Sequence, residues 1–84
     1  MPYELRFSQL FRKDLERLDS TLHRRILEAL EKLRETPHQA RKLAGVDIGR
    51  WRIRIGDWRV IYQIHDDRLV ILVVRIGHRR EVYD

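Results

Sequence analysis

Arginine is the side chain with which this sequence is best equipped to do chemistry. Fifteen arginines and three lysines stand against thirteen carboxylates, a formal charge of +5. Three arginines alternate along Arg50-Trp51-Arg52-Ile53-Arg54, Arg59 follows shortly after, and Arg79-Arg80 lie near the end. A guanidinium is planar and permanently charged, and its fork of N–H donors matches two phosphate oxygens at once. It therefore suits phosphate binding and the stabilisation of charge on phosphate oxygens, and it serves poorly as a general base. His78 precedes the arginine pair and is of the type that can move a proton near neutrality, although a plain polar role is the commoner one. Tyr83, by position alone, packs rather than reacts. The histidines, His23, His38, His65 and His78, lack metal-ligand spacing, so no metal or cofactor is expected. The absence of cysteine excludes disulfides, thiolate zinc sites and thiol nucleophiles. No Ser-His-Asp order, glycine-rich phosphate loop or glutamate pair stands out.

What brings these arginines together is strand register. Gly56-Asp57 separates two strand-like runs, Arg50–Ile55 and Trp58–His65, and glycine at the first central position suits a type II′ hairpin turn. Residues whose numbers sum to 113 then oppose each other. Trp51 faces Tyr62, Ile53 faces Val60 and Ile55 faces Trp58 on one apolar face. Arg54 faces Arg59, Arg52 faces Ile61 and Arg50 faces Gln63 on the other. Asp66-Asp67 suggests a second two-residue turn before the run Leu69–Ile76, which pairs Tyr62 with Ile71 and Trp58 with Arg75. The segment from Gly77, with Arg79, then emerges beside Arg54 and Arg59, over a floor of Ile61, Leu72 and Val74. Such a basic rim around an apolar floor suits nucleic acid or a protein partner. The plainer alternative is the solvated face of an antiparallel sheet.

The elements that must hold this hairpin follow from hydrophobic spacing. Tyr3–Phe7 alternates as a strand does. Ser8 can cap a helix with Leu10, Phe11, Leu15 and Leu18 on its buried stripe, and Asp19-Ser20-Thr21 can cap a second carrying Leu22, Ile26, Leu30 and Leu33. Thr36-Pro37 ends the second helix, and residues 37–49 read as a loop that contains Lys42. The order β-α-α-β-β-β predicts an α+β domain, an antiparallel sheet with a two-helix hairpin packed on one face. Eighty-four residues leave room for one domain, 1–84. The longest apolar run, Leu69–Val74, is far shorter than a membrane span, and the start lacks a signal pattern, so a cytoplasmic chain with no membrane partner is expected. Residues 41–84 hold ten basic and six acidic side chains against eight and seven in residues 1–40. This asymmetry points to an anionic partner, most readily nucleic acid. A charged surface kept for solubility or heat tolerance is the alternative.

Phe7-Ser8, Lys13-Asp14-Leu15, Leu43-x-Gly45, the run Gly49–Tyr62 and Ile76-Gly77-His78-Arg79-Arg80-Glu81-Val82-Tyr83 together resemble the RelE/ParE superfamily of type II toxin-antitoxin toxins, over nearly the whole chain. The resemblance implies the α+β fold already inferred. For the RelE-like branch it implies a ribosome-dependent messenger RNA endoribonuclease, with mRNA and ribosome as partners. For the ParE-like branch it implies a toxin that poisons DNA gyrase and cuts nothing. The RelE-type catalytic positions fall on Arg52, Arg54, Arg59, Arg79 and Tyr83, with His78 a spare acid or base and Arg50, Lys42 and Arg80 as RNA contacts. Arg52 and Arg54 stand where the best-known members carry lysine, which leaves the general base unidentified. The resemblance also implies a small acidic antitoxin as partner, with oligomers formed only through it.

Overall fold

The computed structural model describes residues 2–39, 41–42 and 49–78, with only the backbone of Gln39, Arg41 and Lys42. Strand β1 (Glu4–Phe7) leads into helices α1 (Gln9–Glu16) and α2 (Ser20–Leu33). A single 3-10 turn (Pro37–Gln39) and a two-residue strand, β2 (Arg41–Lys42), come next, and then the long strands β3 (Arg50–Ile55), β4 (Trp58–His65) and β5 (Val70–His78). The sheet order is β1-β5-β4-β3-β2.

Both helices begin where a short polar side chain replaces a missing helical partner. Ser8 Oγ accepts from the Phe11 N–H at 3.0 Å, and Asp19 Oδ1 accepts from the Leu22 N–H at 2.8 Å. The two helices lie on one face of the sheet and seal a core of Phe11, Ile26, Leu30, Val60, Tyr62, Ile71 and Val73. Leu10, expected on the buried stripe, is 53% exposed. The stripe runs instead through Phe11, Leu15 and Leu18, spaced four and three residues apart as one helical face requires.

The α+β layer is as expected, with one addition. The sheet is antiparallel from β2 to β5, but β1 pairs parallel to β5, with Glu4 opposite Val70 and Phe7 opposite Val73. A tight hairpin forces antiparallel pairing only between consecutive strands. β1 and β5 are separated in sequence by both helices and by strands β2 to β4, so a parallel pairing is open to them. Lys42, read as a loop residue, lies on β2 opposite Trp51.

The first hairpin has the expected register at all six pairs, Arg50–Gln63 through Ile55–Trp58. Gly56 takes φ of +62°, which an L side chain rarely adopts, whereas a Cβ there would meet only ordinary contact with Arg25. Backbone conformation, not space, thus calls for glycine. The second hairpin departs from the expected register. Its turn spans four residues, Asp66 to Leu69, with the Arg68 N–H donating to the His65 carbonyl at 3.1 Å and Leu69 at φ of +54°. Tyr62 therefore faces Val73 rather than Ile71, and Trp58 faces His78 rather than Arg75.

One end of the fold carries a hydrogen-bonded cluster with a clear pH signature. Tyr3 Oη donates to Asp66 Oδ1 at 2.6 Å, and His38 Nε2 lies 3.1 Å from the same oxygen. The Tyr3 hydroxyl, then His38, holds the Asp66 carboxyl below the usual aspartate range, and the same bond raises Tyr3. Buried Tyr62, whose hydroxyl donates to the Pro37 carbonyl at 2.7 Å, is raised strongly by desolvation. A lowered carboxyl contributes stability that is present above its unfolded value, near 3.8, and lost as pH falls through the folded one. The raised tyrosines contribute below their unfolded value of 10 and lose that contribution as pH rises through their folded values. Urea midpoints measured across pH should thus fall at both extremes, with Asp66→Asn flattening the acid limb and Tyr62→Phe the alkaline one. Tyr62→Phe should also lower stability by about 1–3 kcal/mol by leaving the buried Pro37 carbonyl without its donor.

Candidate active site

Of the expected convergence, the pairing of Arg54 with Arg59 forms at one corner of the sheet, while Arg79 lies outside the described residues. Arg54 of β3 lies opposite Arg59 of β4, and Arg59 lies opposite Gly77 of β5, so one row crosses three strands. Neighbours in such a row have Cα atoms about 4.5–5.5 Å apart. Arg54 is exposed and Arg59 half-buried. Two like charges held directly opposite cost some tenths of a kcal/mol or more, and an anion bridging them reverses the sign of that contribution. Gly77, itself buried, contributes no side chain to the row.

Arg52 sits one pair further along on the same face, opposite Ile61, but it is not the solvated side chain that strand alternation suggests. It is 4% exposed, the only buried charged residue among those described. Ile61 is buried beside it in the sheet and packs against Val74 in a small apolar cluster separate from the main core. Of the expected floor, Ile61 and Val74 come together, with Arg52 opposite Ile61, whereas Leu72 lines a separate hollow with Arg6, His65, Arg68 and Val70. Arg50 lies at the far end of the hairpin opposite Gln63.

His78 departs from expectation. It ends β5 rather than belonging to a tail, and it pairs with Trp58, its ring edge-on to the indole at 5.7 Å. Trp58 belongs to the helix-facing side, so His78 shares that side and not the face of Arg54 and Arg59. A hollow of about 160 Å³ is lined by Asp14, Arg17, Leu18, Trp58, Ile76 and Gly77, without His78. Arg79, Arg80 and Tyr83 lie outside the described residues, as does the side chain of Lys42. Arg25 was missed by strand reasoning. Its Nη2 comes within 3.8 Å of where a Gly56 Cβ would stand, bringing a helix-borne guanidinium to the turn beside Arg54. No local spacing rule could reveal a contact between α2 and a turn thirty residues later. Among the described residues no three histidine, aspartate or glutamate side chains gather as a metal site requires, and no helix is long and apolar enough to cross a membrane.

A family model described as the ParE toxin of type II toxin-antitoxin system, parDE, matches residues 5–83, and the chain belongs to that family. It is 32% identical over 87 residues to the mRNA interferase toxin RelE of Escherichia coli K12, covering 99% of this chain and 92% of that protein. It is 30% identical over 89 residues to toxin RelG of Mycobacterium tuberculosis, covering 99% and 98%. The toxin-antitoxin complex RelBE2 of Mycobacterium tuberculosis contains a chain that superposes with a TM-score of 0.88 at 28% identity, covering 94% of this chain and 100% of that one. Within the superfamily this is a RelE-like toxin.

Proposed function

We propose that this toxin cleaves messenger RNA on the ribosome and that a cognate antitoxin holds it inactive. The observation that carries the reading is the pairing of Arg54 with Arg59 across the first hairpin, which brings two arginine positions onto one corner of the sheet with side-chain-free Gly77 next in the row. A toxin that only binds gyrase has no need of that arrangement. The relative named an mRNA interferase supports the same reading, and the RelBE2 toxin-antitoxin complex supports the antitoxin.

In the proposed step the ribose 2′-oxygen attacks the adjacent phosphorus and its proton passes to a base. The bond from phosphorus to the 5′-oxygen breaks, and that oxygen takes up a proton. The products are a 2′,3′-cyclic phosphate and a 5′-OH. Arg59 and Arg79 hold the phosphate and, with Arg54, stabilise the charge that builds on its oxygens, and Tyr83 stacks on a base or assists a proton transfer. Arg52, expected to share that role, is too deeply buried to touch the phosphate in this conformation. Arg50, Lys42 and Arg80 bind the flanking RNA. A role for His78 in proton transfer requires the RNA to reach round the end of β5, since its side chain lies on the opposite face from Arg59. Arginine does not supply the base, so orientation by the ribosome carries much of the barrier reduction, an effect that reaches about 7–11 kcal/mol in favourable cases. No resident metal enters the step, because the guanidinium groups take the electrophilic part.

Cleavage on programmed ribosomes, with end-group analysis of the products, tests this. Cyclic phosphate and 5′-OH ends, produced with ribosomes and not on free RNA, are expected. Ends bearing 5′-phosphate would overturn the chemistry. Gyrase-dependent DNA breaks on induction, without new mRNA ends, would assign the chain to gyrase poisoning, the activity implied for the ParE-like branch.

A further inference from the structure

Among the motifs that the site leaves unused are Phe7-Ser8 and Lys13-Asp14-Leu15, at the two ends of α1. Both reach across to the same short stretch of β5. Ser8 Oγ donates to the Val74 carbonyl at 2.6 Å, and the Ser8 N–H donates to the Val73 carbonyl at 2.9 Å. One turn and a half further on, Asp14 accepts from Arg75 Nε at 3.1 Å and Nη2 at 3.3 Å, and from the Ile76 N–H at 3.0 Å. The Asp14 side chain is only 12% exposed. Three donors thus converge on one largely buried carboxylate, from residues 61 and 62 positions away in sequence.

The stretch they hold is irregular. Tyr62 faces Val73 but Ile61 faces Arg75, so Val74 is an extra residue, a β-bulge. The bulge changes which residues of β5 point at the helices. Before it the odd-numbered Ile71 and Val73 are core residues, and after it the even-numbered Ile76 is. That change of phase puts Gly77 in the arginine row and His78 against Trp58. Without it the alternation would run through unbroken, and every later side chain would change face.

We infer that Asp14 is a positioning residue for the proposed cleavage site, acting through the bulge: it pins the Ile76 N–H and so fixes the phase in which β5 passes Arg59 and leaves the sheet. The inference rests on the cleavage reading, and two measurements keep them separate. The first is single-turnover cleavage on programmed ribosomes. Asp14→Ala should lower the saturating rate about a hundredfold, the scale of loss that a misplacement of about 1 Å produces, with half-saturation unchanged. Asp14→Asn keeps an oxygen for the Ile76 N–H and should recover most of that rate. Leu22→Ala, which weakens the core from α2 and leaves the hydrogen bonds between α1 and β5 in place, should cleave as the unaltered chain does. The second is amide hydrogen exchange at Ile76, Gly77 and His78, which needs no cleavage. Exchange there should quicken in Asp14→Ala, return in Asp14→Asn and stay slow in Leu22→Ala. Unchanged exchange, or an Asp14→Ala chain that folds and cleaves normally, overturns the inference. An unaltered chain that cuts nothing while these exchange differences hold would overturn the cleavage reading and leave the clamp in place.

Discussion

Arg59→Ala should lower cleavage on programmed ribosomes by two to three orders of magnitude, while Arg50→Ala leaves the chemical step unchanged and weakens binding slightly. The contrast comes from position on one hairpin. Arg59 lies opposite Arg54 and next to side-chain-free Gly77, whereas Arg50 lies opposite Gln63 at the other end of the strand pair. Removing a donor aimed at charge that develops in the transition state typically costs about 3–4 kcal/mol. A peripheral phosphate contact contributes to ground and transition states alike, and its loss appears in half-saturation. Arg79→Ala should resemble Arg59→Ala. Arg52 is the wrong residue on which to make this comparison, because a side chain 4% exposed cannot be removed without disturbing packing. Equal losses for Arg50→Ala and Arg59→Ala would mean that the corner is a generic basic surface.

The second large effect is on stability. Phe11→Ala should lower the unfolding free energy by about 3–5 kcal/mol, since Phe11 is fully buried and stacks on Phe7 at a centroid distance of 5.3 Å. A domain of this size has roughly 4–13 kcal/mol in total, so roughly a quarter or more of it goes. A Tm fall of roughly 12–40 °C in a calorimetric or dichroism melt corresponds to that loss. A fall of only a few degrees would show that α1 collapses readily onto the space left behind. Leu10→Ala, on the exposed side of the same helix, should change Tm little.

Local chemistry made some of these features legible in the sequence and left others out of reach. Gly56-Asp57 announces its turn, because only glycine readily takes the positive φ that a two-residue hairpin needs, and everything between Arg50 and Gln63 follows from it. The second hairpin gave no such signal. Leu69 occupies the left-handed region where a glycine or asparagine would have marked the turn, and no residue type announces a bulge at Val74. The helices and their caps were readable from spacing, apart from Leu10. Asp14 was not, since its partners become neighbours only when the last strand docks. The charges of Arg54 and Arg59 were visible as types and register placed them together. The burial of Arg52 depends on what lies above the sheet, which no strand pattern encodes.

The parallel pairing of β1 with β5 has a consequence for the birth of the protein. Residues 4–7 have no ladder partner until residues 70–73 exist, and the bulge that α1 clasps comes later still. A chain emerging from its own ribosome therefore carries its first strand and first helix unanchored until nearly the whole domain has been made. Contacts between the ends of a chain also slow folding, because the loop entropy is lost before they form. A protein proposed to attack translation thus assembles its sheet only as its own translation draws to a close.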